Sequence, residues 1–166
     1  LSSGTDGNNE FTIQNKALTV SGITNSDKIY DGLTSATTDF ASASFSGLVS
    51  GDVLSISSVT GTFDSKDVSI TGSTINDKTV TLATTYNQAE AGSDFANYTI
   101  TDQASAQSKI NQRPLSFVAT KTYDGSATIT HSDVNSGGLG NTGDASNSGL
   151  VGSETLNYSA TSNSKD

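Results

Sequence analysis

The chain has 166 residues, 32% of them hydrophobic and 15% charged, with a net charge of −9 from 14 Asp and 3 Glu against 8 Lys plus Arg. That balance argues against nucleic acid and anionic lipid as partners, because both need clustered Lys or Arg. There is no Cys, so no disulfide or thiolate site is available, and no run of about 18 apolar residues suggests a membrane-crossing helix.

Ser and Thr, 52 residues together, with 16 Gly and abundant Asn and Asp, take the place of the missing apolar and charged residues. Short strands joined by polar turns suit this composition, because each strand needs only one apolar face. Asp exceeds Glu because Asp suits turns and Glu suits helices.

Residues 1–13 are expected to be the tail of a preceding module or a linker. Leu1 is no natural initiator and no basic, then apolar, leader opens the chain, so it reads as an excerpt of a longer protein. Leu18, Val20 and Gly22 then alternate with Thr19 and Ser21, which predicts a strand. Asp31-Gly32 and Ser50-Gly51-Asp52 mark turns, and Leu54 and Ile56, then Val68 and Ile70, are shorter alternations. Asn76-Asp77-Lys78 marks another turn before Val80, Leu82, Thr84 and Tyr86, the longest alternating run. Gln88–Ala96 is the best helical candidate, and Gly92 limits it to a single turn. Tyr98 and Ile100 alternate again. Pro114 opens a further strand, where its missing N–H does little harm, with Leu115, Phe117 and Ala119 on one face. Asp124-Gly125 is the last turn signal.

The chain repeats itself. Ile13-Gln14-Asn15-Lys16-Ala17-Leu18 matches Ile110-Asn111-Gln112-Arg113-Pro114-Leu115 at an offset of 97. Lys28-Ile29-Tyr30-Asp31-Gly32 matches Lys121-Thr122-Tyr123-Asp124-Gly125 at 93. Gly47–Leu54 matches Gly149–Leu156 at 102, and Ser65-Lys66-Asp67 matches Ser164-Lys165-Asp166 at 99. The order is kept, and the changes of offset place insertions near Gly22–Asp27 in the first copy and around Gly137–Ser148 in the second. Such length changes belong in surface loops. The organisation that follows is a complete β module over residues 14–110 and the N-terminal part of a second, truncated one over 111–166. The fold class is all-β, with tandem small β-sandwich or β-grasp-like modules in an elongated array.

The residues singled out are the two triplets Tyr30-Asp31-Gly32 and Tyr123-Asp124-Gly125. Asp-Gly suits positive φ at a tight turn, and the preceding Tyr can pack its ring on a core with its hydroxyl at the rim. This reading is structural; the competing one makes Asp31 and Asp124 cation ligands. Calcium would need about 6–8 converging oxygens. Asp31, Asp52, Asp64 and Asp67 sit in loops, but no compact Asp-x-Asp-x-Asp-Gly run exists and turn aspartates are the commoner explanation. No cofactor is expected.

His131, within Thr130-His131-Ser132-Asp133, is the only histidine, and the first copy has none at that place, so no catalytic set is expected. Lys16, Lys28 and Lys66 are the candidates for an isopeptide crosslink to Asn or Asp. Asn97-Tyr98-Thr99 and Asn157-Tyr158-Ser159 match the N-glycosylation triplet, which is frequent by chance in such a chain.

Four ordered blocks carry a resemblance. Lys-x-Tyr-Asp-Gly is followed by Phe45-Ser46-Gly47-Leu48-Val49-Ser50-Gly51-Asp52, then by Gly61-Thr62-Phe63-Asp64-Ser65-Lys66-Asp67-Val68, then by Ala91-Gly92-Ser93-Asp94-Phe95-Ala96-Asn97-Tyr98. The set resembles the YDG-type repeat of large secreted bacterial adhesins, including filamentous-haemagglutinin-like proteins exported by two-partner secretion. The second copy departs at Ser153-Glu154, where the first has Gly51-Asp52, so its turn there is expected to differ. The resemblance implies a secreted, cell-surface protein whose β modules follow one another as a stalk, without catalytic residues. The expected function is therefore a structural spacer, with neighbouring repeats of the same chain as partners. The alternative is a module that binds host or matrix glycans or proteins, with Tyr86, Phe95, Tyr98 and Tyr158 as candidate sugar-facing aromatics.

Overall fold

A computed structural model describes residues 12–87, 95–115, 124–129, 150–154 and 160–161. The first half carries β1 (Lys16–Ser21), β2 (Thr24–Asn25), β3 (Lys28–Ile29), β4 (Ser35–Ala36), β5 (Thr38–Asp39), β6 (Ser44–Ser46) and β7 (Ile56–Phe63). Then come β8 (Ile70–Thr71), β9 (Thr74–Ile75), β10 (Lys78–Tyr86), β11 (Tyr98–Thr101), β12 (Ser105–Ser108), β13 (Ile110–Asn111), β14 (Thr128–Ile129) and β15 (Ala160–Thr161). The only helical element among the described residues is a single 3₁₀ turn, Phe95–Asn97, at the end of the segment where one turn is expected. The rest of that segment, residues 88–94, lies outside the described residues.

The chain divides into two compact units. The first comprises Leu1–Ser26, Ser35–Thr62 and Thr79–Gln107; the second comprises Asp27–Thr34, Phe63–Lys78 and Ser108–Asp166. The division does not follow the repeat boundary: residues 27–34, 63–78 and 108–110 all fall in the second unit.

In the first unit β1 is the middle strand of the sheet β11-β1-β6. It runs parallel to β11, from Lys16↔Tyr98 to Thr19↔Thr101, and antiparallel to β6, from Thr19↔Ser46 to Ser21↔Ser44. A four-stranded sheet has the order β12-β10-β7-β4, and β2 pairs antiparallel with β5. Period two decides what is buried. Leu18 and Val20 of β1, Val59 and Gly61 of β7, and Val80 and Leu82 of β10 point inward, while the intervening Thr and Ser face outward. Leu18, Leu54 and Tyr98 form a core cluster flanked by Phe45, Leu48, Phe95 and Ile100. Each such aliphatic side chain contributes about 1.5–3 kcal/mol through burial.

Leu54 joins this core from a loop, since β7 begins only at Ile56. Gln103 supplies a further link that no periodicity signals. Its amide accepts from Ile23 N–H at 2.9 Å and donates to Ile23 carbonyl at 2.7 Å, replacing a rung of strand pairing with a side chain.

In the second unit β3 runs parallel to β13, β8 and β9 form a hairpin, and β14 pairs antiparallel with β15. The hairpin turns at Gly72-Ser73, with Gly72 at φ +61°, a two-residue loop of the Gly-first type. Ile70, expected on an apolar face with Val68, stands exposed in this hairpin. Lys78, expected in a turn with Asn76 and Asp77, is instead the buried first residue of β10. Leu115 is exposed; Phe117 and Ala119 lie outside the described residues.

One ladder recurs. β4 pairs with β7 through Ser35↔Thr62 and Ala36↔Gly61. β14 pairs with β15 through Thr128↔Thr161 and Ile129↔Ala160. At the local offsets of 93 and 99 these are the same residues of the repeat, paired in the same register.

Candidate functional site: the Tyr-Asp-Gly loop

The loop begins at β3, whose strand is held by the end of the same copy. Lys28 N–H donates to Lys109 carbonyl at 3.0 Å and Tyr30 N–H to Asn111 carbonyl at 2.9 Å. Asp27 secures the other side, its carboxylate accepting from Lys109 N–H at 2.8 Å and from the Ser108 hydroxyl at 3.2 Å.

Past β3 the chain turns on a side chain. Asp31 Oδ1 accepts the Leu33 N–H at 2.9 Å, closing an Asx turn, and Gly32 takes φ +76°. Asp31 itself keeps negative φ, so the loop is not a two-residue hairpin of the Asp-Gly kind; β3 and β4 pair with other strands. Lys28 braces it from within. Its ammonium lies 2.7 Å from Asp31 Oδ1, donates to Leu33 carbonyl at 2.9 Å, and stands 5.7 Å from the centre of the Phe63 ring. The second copy repeats the turn: Asp124 Oδ1 accepts the Ser126 N–H at 2.9 Å and Gly125 takes φ +78°. Tyr123 lies outside the described residues.

Tyr30 reaches toward the Val151–Glu154 turn. Its hydroxyl donates to the Glu154 carboxylate and accepts from Lys66 Nζ at 3.2 Å, and the Lys66 ammonium is 5.6 Å from the Tyr30 ring centre. A methyl group on Gly32 would stand 2.8 Å from Val151 Cγ1, so the glycine admits that neighbour.

The Val151–Glu154 turn can be compared with its first-copy counterpart. Asp52 N–H donates to Val49 carbonyl at 3.1 Å, and Glu154 N–H to Val151 carbonyl at 3.2 Å. The turn is kept but its hand is reversed. The positive-φ glycine is third in Val49-Ser50-Gly51-Asp52 (Gly51, φ +102°) and second in Val151-Gly152-Ser153-Glu154 (Gly152, φ +60°). In both, the acid takes a tyrosine hydroxyl: Asp52 from Tyr98, Glu154 from Tyr30. The sequence profile of the YDG domain matches residues 14–109. The chain belongs to the YDG domain family. Comparison with curated proteins and with solved structures returned no match.

In this YDG domain the other singled-out residues are placed as follows. Asp64 lies 2.7 Å from the ammonium of Lys78, which also donates to the Ser65 hydroxyl at 2.9 Å. Asp67 lies 3.6 Å from Lys66. Among the described residues no three His, Cys, Asp or Glu side chains converge on a point suited to a metal ion. Of the crosslink candidates, Lys16 and Lys66 are exposed and Lys28 is ion-paired to Asp31. Lys78, which sequence reasoning passed over, is the buried lysine beside an acid, 7% exposed. Asp64, however, is 56% exposed and held ionised by Lys78, which makes its carboxylate a poor electrophile for amide formation. Tyr98, a candidate sugar-facing ring, is instead a core residue. Tyr86 and Phe95 pack on each other with ring centres 5.2 Å apart. His131 and Tyr158 lie outside the described residues, as does the Asn157 triplet.

The carboxylates make stability depend on pH. Asp64 is held below its ordinary value of 3.8, chiefly by the Lys78 hydrogen bond. Glu154 is held below 4.5 by the Tyr30 hydroxyl and the Val151 N–H. At Asp31 partial desolvation pushes upward, but the Lys28 and Leu33 hydrogen bonds outweigh it and the net shift is downward. A depressed folded pKa contributes stability that is present above the unfolded value and lost as pH falls through the folded one. The urea midpoint is therefore expected to hold between pH 7 and about pH 5 and to fall below about pH 4. Asp64→Asn should flatten that acid limb; an unchanged limb would remove Asp64 from the account.

Proposed function

We propose that the chain is a stalk segment of a secreted bacterial cell-surface adhesin, in which YDG modules follow one another as spacers and project a binding region from the cell. The observation that carries this reading is the repeated ladder: Ser35↔Thr62 and Ala36↔Gly61 recur as Thr128↔Thr161 and Ile129↔Ala160. The matching Asx turns at Asp31 and Asp124 support it. A unit that rebuilds the same pairings with different side chains is suited to adding length rather than chemistry. The polar loop groups described above bind backbone or one another, which fits a load-carrying part. The acidic, cysteine-free, Ser- and Thr-rich composition suits exposure outside the cell.

Small-angle scattering of chains carrying one, two and three added copies of residues 14–109 tests the reading. A constant increase in maximum dimension per copy is the expected result, together with no selective binding on a glycan array. Added copies that leave the dimension unchanged would defeat the spacer reading. Selective glycan binding would replace it with a carbohydrate-binding module.

A further inference from the structure

Ile13 and Ile110 hold the same place in the repeat, three residues ahead of Lys16 and Arg113, yet their surroundings are opposite. Ile110 is 0% exposed; Ile13 is 97% exposed. Ile110 owes its burial to β13, which lies parallel to β3 in the register Ile110↔Lys28 and Asn111↔Ile29. The pairing is closed by Lys28 N–H on Lys109 carbonyl and Tyr30 N–H on Asn111 carbonyl. Ile13-Gln14 carries the same kind of pair, a β-branched apolar residue and then an amide, and pairs with no strand among the described residues. An isoleucine left in water forfeits the free energy that burying its side chain would gain.

We infer that Ile13-Gln14 is a docking strand whose partner is the Lys-x-Tyr-Asp-Gly strand of another copy of the YDG module, paired parallel as β13 pairs with β3. The inference rests on the repeat-module reading above and adds to it where one module ends and the next begins. The strand that closes a module is the strand that leads into its successor. Asn111 ends β13, and Arg113, the counterpart of the first residue of β1, follows after Gln112 alone. Counted along the repeat the joint holds one residue, although residues 112–115 form no strand here, and Ile13 completes the core of the copy before it.

The chain has no Cys, so a single thiol reports on this directly. Ile13→Cys is made in the full chain and in a longer chain where a second copy of residues 14–109 is placed immediately ahead of position 13. Position 13 then follows Lys109 of the added copy as Ile110 follows Lys109. Maleimide labelling of the unextended chain is expected at the rate of a free thiol, and in the extended chain slower by about tenfold or more, the protection of a residue reached only by local opening. Ile13→Ala is expected to leave the melting temperature of the unextended chain unchanged and to lower that of the extended chain. Circular dichroism and hydrogen exchange on the added copy separate the two claims. An added copy that does not fold overturns the module reading and this inference together. A folded copy with position 13 still labelled at the free rate, and Ile13→Ala still silent, overturns the shared strand alone.

Discussion

Replacing Tyr98 with alanine is expected to destabilise the protein by about 3–5 kcal/mol, the range for an aromatic removed from a packed core. Tyr98 is 6% exposed, packs with Leu18 and Leu54, and starts β11, the strand parallel to β1. Its hydroxyl donates to the Asp52 carboxylate and accepts the Val49 N–H at 2.9 Å. Tyr98→Phe keeps the ring and removes only these bonds, so it should cost about 1–2 kcal/mol, mostly from the unpaired Val49 N–H. Urea denaturation at neutral pH measures both. If Tyr98→Ala were silent in stability but abolished binding to a glycan, the ring would be a recognition surface and its place in the core would be wrong.

Gly47→Ala should cost about 3 kcal/mol or more, from backbone strain and a clash together. Gly47 takes φ +103°, and a methyl there would sit 2.5 Å from the Ala17 carbonyl oxygen. That oxygen belongs to β1, the middle strand of its sheet, and cannot yield without disturbing a ladder on either side. Gly51→Ala is the control. Gly51 has nearly the same φ, +102°, with nothing within 4 Å, so only the strain of about 1–2 kcal/mol should appear. Equal costs for the two substitutions would show that the close approach to β1 does not matter.

The strands that could be read in advance are those whose burial follows from period two alone. Leu18 with Val20, and Val80 with Leu82, lie inward as their alternation requires, and Leu82 needs no knowledge of its neighbours to be assigned a face. The glycine of the Tyr-Asp-Gly loop was legible for the same reason: φ is a local property. What the loop touches was not. Tyr30 meets Glu154 from 124 residues away, and Lys28 stacks on Phe63, contacts set by topology and carried by no local pattern. Gln103 and Lys78 escaped because their roles require a partner segment to arrive first. Gly72-Ser73 escaped because Ser and Gly are too common in this chain to stand out. The departure at Ser153-Glu154 was visible in sequence. Its outcome, a turn of opposite hand with the same hydrogen bond, follows from moving glycine from third to second place.

The parallel pairing of β1 with β11 has a mechanical side. If the ends of this region are drawn apart, β1 is tugged toward its N-terminal end and β11 toward its C-terminal end. In parallel neighbours those pulls slide one strand along the other. The four residue pairs from Lys16↔Tyr98 to Thr19↔Thr101 are then loaded together in shear, instead of opening one after another like a zip. Tension applied across Lys16 and Thr101 would then be resisted by that ladder as a whole.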